Sequence, residues 1–200
     1  MADIIIDSPA ELSSQDREVL ARHVGQNGFS SMTLLKASIL TGHSISFYYC
    51  NWETDKALRV WIAAQIQDEF LMYFEPIFSS KKNPSKGDLA DILDKYLNLV
   101  SKKESFHRLC AWSTVENDPD IKRICRETQV EFFTMICQMF RDSQSMPEDK
   151  IEIHAYLFAN FWKIYAGLVW NDSQVCNSSI KVEKLKEQLK AFIIESVFEN

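Results

Sequence analysis

Residues 28–58 read GFSSMTLLKASILTGHSISFYYCNWETDKAL, and this stretch decides the fold. Leu34, Leu35 and Ile39 predict a helix over about 31–40, with those three side chains turned inward. Gly42 supplies a tight turn, because a residue without Cβ enters left-handed backbone at little cost. Ser44 caps a short third helix ending in Phe47-Tyr48-Tyr49, and Thr54 or Asp55 starts a longer one. Helix, turn at Gly and short helix form a helix-turn-helix pattern, a common way to present a helix to a DNA major groove. The charge of the stretch does not match that shape: between Gly28 and Asn51 the only Lys or Arg is Lys36.

Outward from this segment the chain reads as helix throughout. Ser13 and Ser14 cap a first helix with Asp16 in its opening turn, and Gly25 and Gly28 end it. The fourth helix runs from Thr54 or Asp55 to about Phe78, with Leu58, Trp61, Ile62, Ile66, Phe70, Tyr73 and Phe74 at helical spacing. A polar loop covers Ser79 to Gly87. Further helices are expected at about 88–101, 104–114, 119–141, 147–171 and 180–198. Pro119 and Pro147 suit first turns, and Asn171 to Ser179 is a polar loop. The fold class is therefore all-α, with about nine helices: an N-terminal three-helix unit over residues 1–54 and a larger helical domain over 55–200.

Composition narrows the function classes. The 200 residues carry 22 Lys and Arg against 28 Asp and Glu, a formal charge of −6. That balance disfavours a general nucleic-acid binder, whose affinity comes from neutralising phosphates. Residues 1–60 alone hold five cations against seven carboxylates, a net of −2. Cysteines stand at 50, 110, 125, 137 and 176 with no CxxC pair, which suggests free thiols in a reducing compartment. The N-terminal MADIIID lacks a basic n-region and an adequate apolar run, so no signal peptide is expected. The apolar stretch Ala155 to Trp170 contains Lys163 and is shorter than the roughly 20 residues of a membrane span. The expected location is cytoplasmic, with no membrane partner. Histidines 23, 43, 107 and 154 show no HExxH or paired-ligand spacing, and no GxSxG, GxGxxG or P-loop is present. Glu104, Asp118, Asp120 and Glu131 read as solvated helix faces. No enzyme, metal or cofactor is expected.

The N-terminal residues resemble the DNA-binding domain of the tetracycline-repressor (TetR) family. Gly28-Phe29 fits that pattern's opening, and Thr33 its Thr at the start of the second helix. Thr41-Gly42-His43-Ser44 fits its turn, Tyr48-Tyr49 the end of its recognition helix, Trp52 the aromatic that follows, and Leu58 the next Leu. About 45 residues are covered well; the remainder agrees in length and helix number. Where the family usually carries Lys before the long helix, this chain has Asp55, with Lys56 one place later.

The resemblance implies a ligand-responsive transcriptional regulator, a homodimer on a near-palindromic operator in double-stranded DNA. Candidate DNA-binding residues are Thr33, Lys36, Ser44, Ser46, Phe47, Tyr48, Tyr49 and Lys56. Hydroxyls and the amides at the start of the second helix can bond phosphate oxygens, and hydroxyls or an aromatic can meet base edges. A small apolar or aromatic ligand is expected among the middle helices. Its candidate contacts are Tyr73, His107, Trp112, Phe133, Cys137, Trp162 and Tyr165. Two C-terminal helices carry more apolar surface than one core needs. Ile151, His154 and Leu157 with Phe158, Phe161, Tyr165 and Leu168 form one face, and Leu185, Leu189, Phe192, Ile193 and Val197 the other. Phe158, Phe161, Leu168, Leu189, Phe192 and Ile193 are the candidate dimer residues. The same head admits another reading, in which Tyr48 is core, Thr33 and Ser44 only cap helices, and the acidic surface binds a protein partner.

Overall fold

The computed structural model describes residues 12–80, 85–102, 112, 115–143, 147–170 and 182–198. These residues are helical without any strand, in eight α-helices. They are α1 (Ser14–Asn27), α2 (Leu34–Thr41), α3 (Ile45–Asn51), α4 (Asp55–Ser79), α5 (Lys86–Lys102), α6 (Pro119–Ser143), α7 (Glu148–Trp170) and α8 (Val182–Phe198). The helix expected at 104–114 lies outside the described residues except for Trp112, and the loop at 171–179 lies wholly outside them. The chain groups into two compact units. One is drawn from residues 1–70 and 103–127, the other from 71–102 and 128–200. The first unit thus takes in the opening of α4 and of α6 as well as residues before 55.

Local chemistry accounts for the helix boundaries of the first unit. Ser13 caps α1: its Oγ accepts from the Asp16 amide at 3.1 Å, and its own amide donates to Asp16 Oδ2 at 3.2 Å. Ser13 and neighbouring His43 hold the Asp16 carboxyl below its ordinary range against a smaller desolvation effect. Gly25 does not end the helix; it is buried inside it, and Gly28 is the cap. A 3₁₀ turn spans Phe29–Ser31. The second helix starts at Leu34 because Thr33 takes the N-cap, accepting from the Lys36 amide at 3.0 Å. Gly42 ends it in left-handed backbone, φ 77° and ψ 0°.

That start sets which side of α2 is inward. Leu34 and Ala37, one turn apart, are buried. Leu35 and Ile39, expected to face inward, instead point to solvent, at 60% and 68% exposure. The correction follows from periodicity: 34 and 37 define one stripe, and 35 and 39 lie on another. The core of this unit holds Leu20, Val24, Phe29, Met32, Tyr48 and Leu58.

In the second unit, Phe74 and Phe78 of α4 close on Phe132 of α6, with ring centroids 5.2 and 5.6 Å away. Leu89, Ile92 and Leu93 form the buried side of α5. Helix α8 packs on α7 and α5, and Lys190 pairs with Asp94 at 2.7 Å. Ile151 and His154 of α7 are buried within this unit, so they do not belong to an outward face as the sequence suggested. Burial, with a smaller contribution from Lys150, pushes His154 below the ordinary imidazole range; burial and then Lys36 do the same for His23. An imidazole with a depressed folded pKa is neutral in both states at high pH. It protonates first in the unfolded chain as pH falls through the ordinary value of about 6.5. Stability is therefore expected to be level above that point and to drop below it. Urea midpoints at pH 7.5 and 5.5 test this. His154→Gln should remove part of the difference, and an unchanged difference would count against the buried, neutral His154.

Candidate functional site: the outer faces of helices 2 and 3

Helix α3 is anchored by one side chain. Tyr48 is wholly buried, and its hydroxyl lies 2.7 Å from Thr41 Oγ1 across the turn. Its ring stacks on Trp52 at 5.4 Å and meets Phe47 edge-on at 5.3 Å. Trp52 in turn packs edge-on against Trp61 of α4 at 5.0 Å. Burial raises the Tyr48 phenol above its ordinary range. Tyr48 therefore has no surface to offer DNA and is withdrawn from the contact set, the physical reason being its full enclosure in this aromatic ladder.

With Tyr48 inward, the opposite side of α3 is outward. Ser44, Ser46, Tyr49 and Cys50 are exposed, Tyr49 at 62%. Phe47 is half-exposed and stacks on His43 at 4.7 Å. No residue from Ser44 to Trp52 is charged. Ser44 Oγ caps the helix by accepting from the Phe47 amide at 3.2 Å, as Thr33 caps α2. Those two hydroxyls serve local structure first.

Most of the charged groups around this surface are already engaged. The Leu34 amide, at the start of α2, donates to Asp55 Oδ1 at 2.7 Å. A carboxylate of the chain itself thus sits at the helix start where the sequence suggested an incoming phosphate. Lys56 Nζ lies 2.6 Å from Asp120 Oδ2. Arg59 donates to the carbonyls of Met32 and Ser30 at 2.7 and 3.2 Å. Arg17 donates to Gln65, and Arg22 pairs with Glu18. Lys36 is half-buried and makes no ion pair among the described residues.

A short segment ahead of α6 grips the back of the α1–α2 junction. The Trp112 indole donates to the Gly25 carbonyl at 3.1 Å. Glu116 accepts from the Ser30 amide at 2.9 Å and from its hydroxyl at 3.2 Å. Asn117 then adopts φ 56°, and Asp118 caps α6 by accepting from the Asp120 amide at 2.9 Å. Trp112, a ligand candidate in the sequence, is thus committed to the first unit. Glu116, Asp120 and Asp55 were not singled out as site residues. Of these only Asp55, standing where a Lys was expected, carried a signal.

The remaining ligand candidates divide. Tyr73 is exposed, Phe133 half-buried and Cys137 buried, all in the second unit. Burial raises the Cys137 thiol above its usual range. His107 and the side chains of Trp162 and Tyr165 lie outside the described residues, as do the side chains of Phe158, Phe161, Leu168 and Ile193. Of the dimer candidates, Leu189 is half-buried and Phe192 is 61% exposed. On α7, Leu157, expected on an outward face, is 39% exposed beside Ile153 and Tyr156, at 61% and 63%, which the sequence reading did not include. No helix among the described residues is long and apolar enough to cross a membrane. No protein-family model matches the chain, and no curated protein is significantly similar to it.

Proposed function

We propose that this protein is a homodimeric, ligand-responsive DNA-binding regulator of the tetracycline-repressor kind. Its first unit reads an operator with α3. The observation that carries this reading is the construction of α3. It is pinned inward by Tyr48, set by the left-handed turn at Gly42, and turns Ser46, Tyr49 and half-exposed Phe47 outward without a carboxylate among them. Such a face suits hydroxyl bonds and a thymine-methyl contact. The exposed Ile153, Tyr156, Leu157 and Phe192 supply the surface on which a second copy packs. The second unit, with Tyr73, Phe133 and Cys137, takes a small apolar or aromatic molecule. That molecule shifts the population of head spacings by its differential affinity for the two states.

Selection from random-sequence duplex DNA, at low and moderate salt, tests this. A two-fold symmetric protein selects a two-fold symmetric site, so an enriched palindrome carries the DNA and dimer claims together. Tyr49→Ala combined with Lys56→Ala is expected to abolish operator binding while leaving the fold intact; retained binding would remove α3's outer face as the reader. Because most cations of the head are engaged, the dimer's salt dependence should be shallow. Counting only Lys36 in each head, since Lys56 is paired with Asp120, gives a log–log slope of about −2.

A second reading is favoured by the same engaged cations together with exposed Leu35, Ile39 and Tyr49. There the head keeps its fold but docks a protein. Absence of any enriched DNA from a folded dimer, followed by capture of a partner lost on Leu35→Asp, would establish it.

A further inference from the structure

We propose that Asp120 is a built-in competitor for DNA phosphate at Lys56, so that the first turn of α6 sets how much positive charge the head offers. The inference rests on the DNA-binding reading above and adds a regulatory contact to it. Lys56 opens α4, four residues beyond Trp52 at the end of α3, and its ammonium group meets Asp120 at 2.6 Å. Both side chains are partly exposed, at 55% and 42%. Such a pair is held weakly, and a phosphate can displace the carboxylate. Each partner favours the other's charged form: Asp120 raises Lys56, and Lys56 lowers Asp120, with Asp118 and Arg123 adding to the two effects.

The position of Asp120 is not accidental to its neighbours. Trp112 on the Gly25 carbonyl, Glu116 on Ser30 and the Asp118 cap fix where α6 begins. That helix then continues to Ser143, with residues from 128 onward belonging to the second compact unit. Breaking the pair exposes Lys56 without any change in α3 itself. The device differs from a change in head spacing: it alters the number of phosphates a single head neutralises.

The full-length wild type, Asp120→Asn, Lys56→Ala and the double variant are titrated with a short random-sequence duplex across a salt series, with Asp120→Ser as a second neutral variant. Asp120→Asn and Asp120→Ser should bind about two- to fivefold more tightly, and each head should add about 0.9 to the magnitude of the salt slope. The gain should vanish when Lys56 is also Ala. Glu53→Gln, which removes one exposed carboxylate elsewhere on the head, should not reproduce the gain in slope. If the wild type binds the duplex but Asp120→Asn and Asp120→Ser leave affinity and slope unchanged, the competitor is overturned and the DNA reading stands. A gain that persists without Lys56 also overturns it, in favour of bulk charge. If none of the proteins binds DNA even at low salt, the DNA reading falls and the competitor falls with it.

Discussion

Replacing Tyr48 by Ala is expected to lower stability by about 3–5 kcal/mol, enough to unfold much of the first unit, as for other large aromatic-to-Ala changes in cores. The side chain is fully enclosed, stacks on Trp52 and meets Phe47 edge-on, so its removal leaves a cavity lined by rings that cannot collapse together. Tyr48→Phe keeps the ring and loses only the bond to Thr41, whose hydroxyl still donates to the Ala37 carbonyl at 2.9 Å. Its cost should be about 1 kcal/mol. Urea unfolding followed by tryptophan fluorescence reads both, since Trp52 is in the same ladder. The adjacent Tyr49→Ala, on the exposed side, should leave the midpoint nearly unchanged. If Tyr48→Ala cost no more than Tyr49→Ala, the inward anchor of α3 would be wrongly assigned, and with it the outward face proposed to meet DNA.

Gly28→Ala should cost about 2–4 kcal/mol, while Gly42→Ala costs about 1–2 kcal/mol. Both glycines have positive φ, but their surroundings differ. Gly28, at φ 85° and ψ 163°, occupies backbone that is essentially reserved for Gly. A Cβ there would run into the Glu116 carboxylate and come within 3.2 Å of the Trp112 ring. Glu116 cannot swing aside without giving up its bonds to Ser30. Gly42 sits in ordinary left-handed backbone with nothing within 4 Å of a built Cβ, so only the conformational cost remains. Thermal melts of the two variants test the order. Adding Glu116→Ala to Gly28→Ala should cost less than the two single effects summed, because the clash is shared. Strict additivity would mean that Glu116 and Gly28 do not meet.

Much of the first unit was legible because its determinants are local. Caps at Ser13, Thr33 and Ser44, the left-handed turn at Gly42 and the first turn at Pro119 depend on a few neighbouring residues. The ends of α4, α6, α7 and α8 fell within a few residues of expectation for the same reason. The inward side of α2 was misjudged because eight residues contain too few turns to define a stripe. Leu35 and Ile39 look like core until the true start of the helix is known. On α7 a similar ambiguity placed Ile151 and His154 outward when they are buried, and left Ile153 and Tyr156, exposed beside Leu157, off the expected face.

By itself, then, the sequence determined an all-helical chain, the turn between α2 and α3, and the uncharged character of the segment Ser44 to Trp52. Periodicity, capping and composition act over distances of a few residues, and all three are written into the order of the side chains. Only the tertiary structure decided which of those side chains remain available. It buried Tyr48, set Asp55 on the start of α2, paired Lys56 with Asp120, and brought Glu116 onto Ser30 from 86 residues away. Those partnerships arise where distant helices meet, and no local pattern encodes which charge will find which.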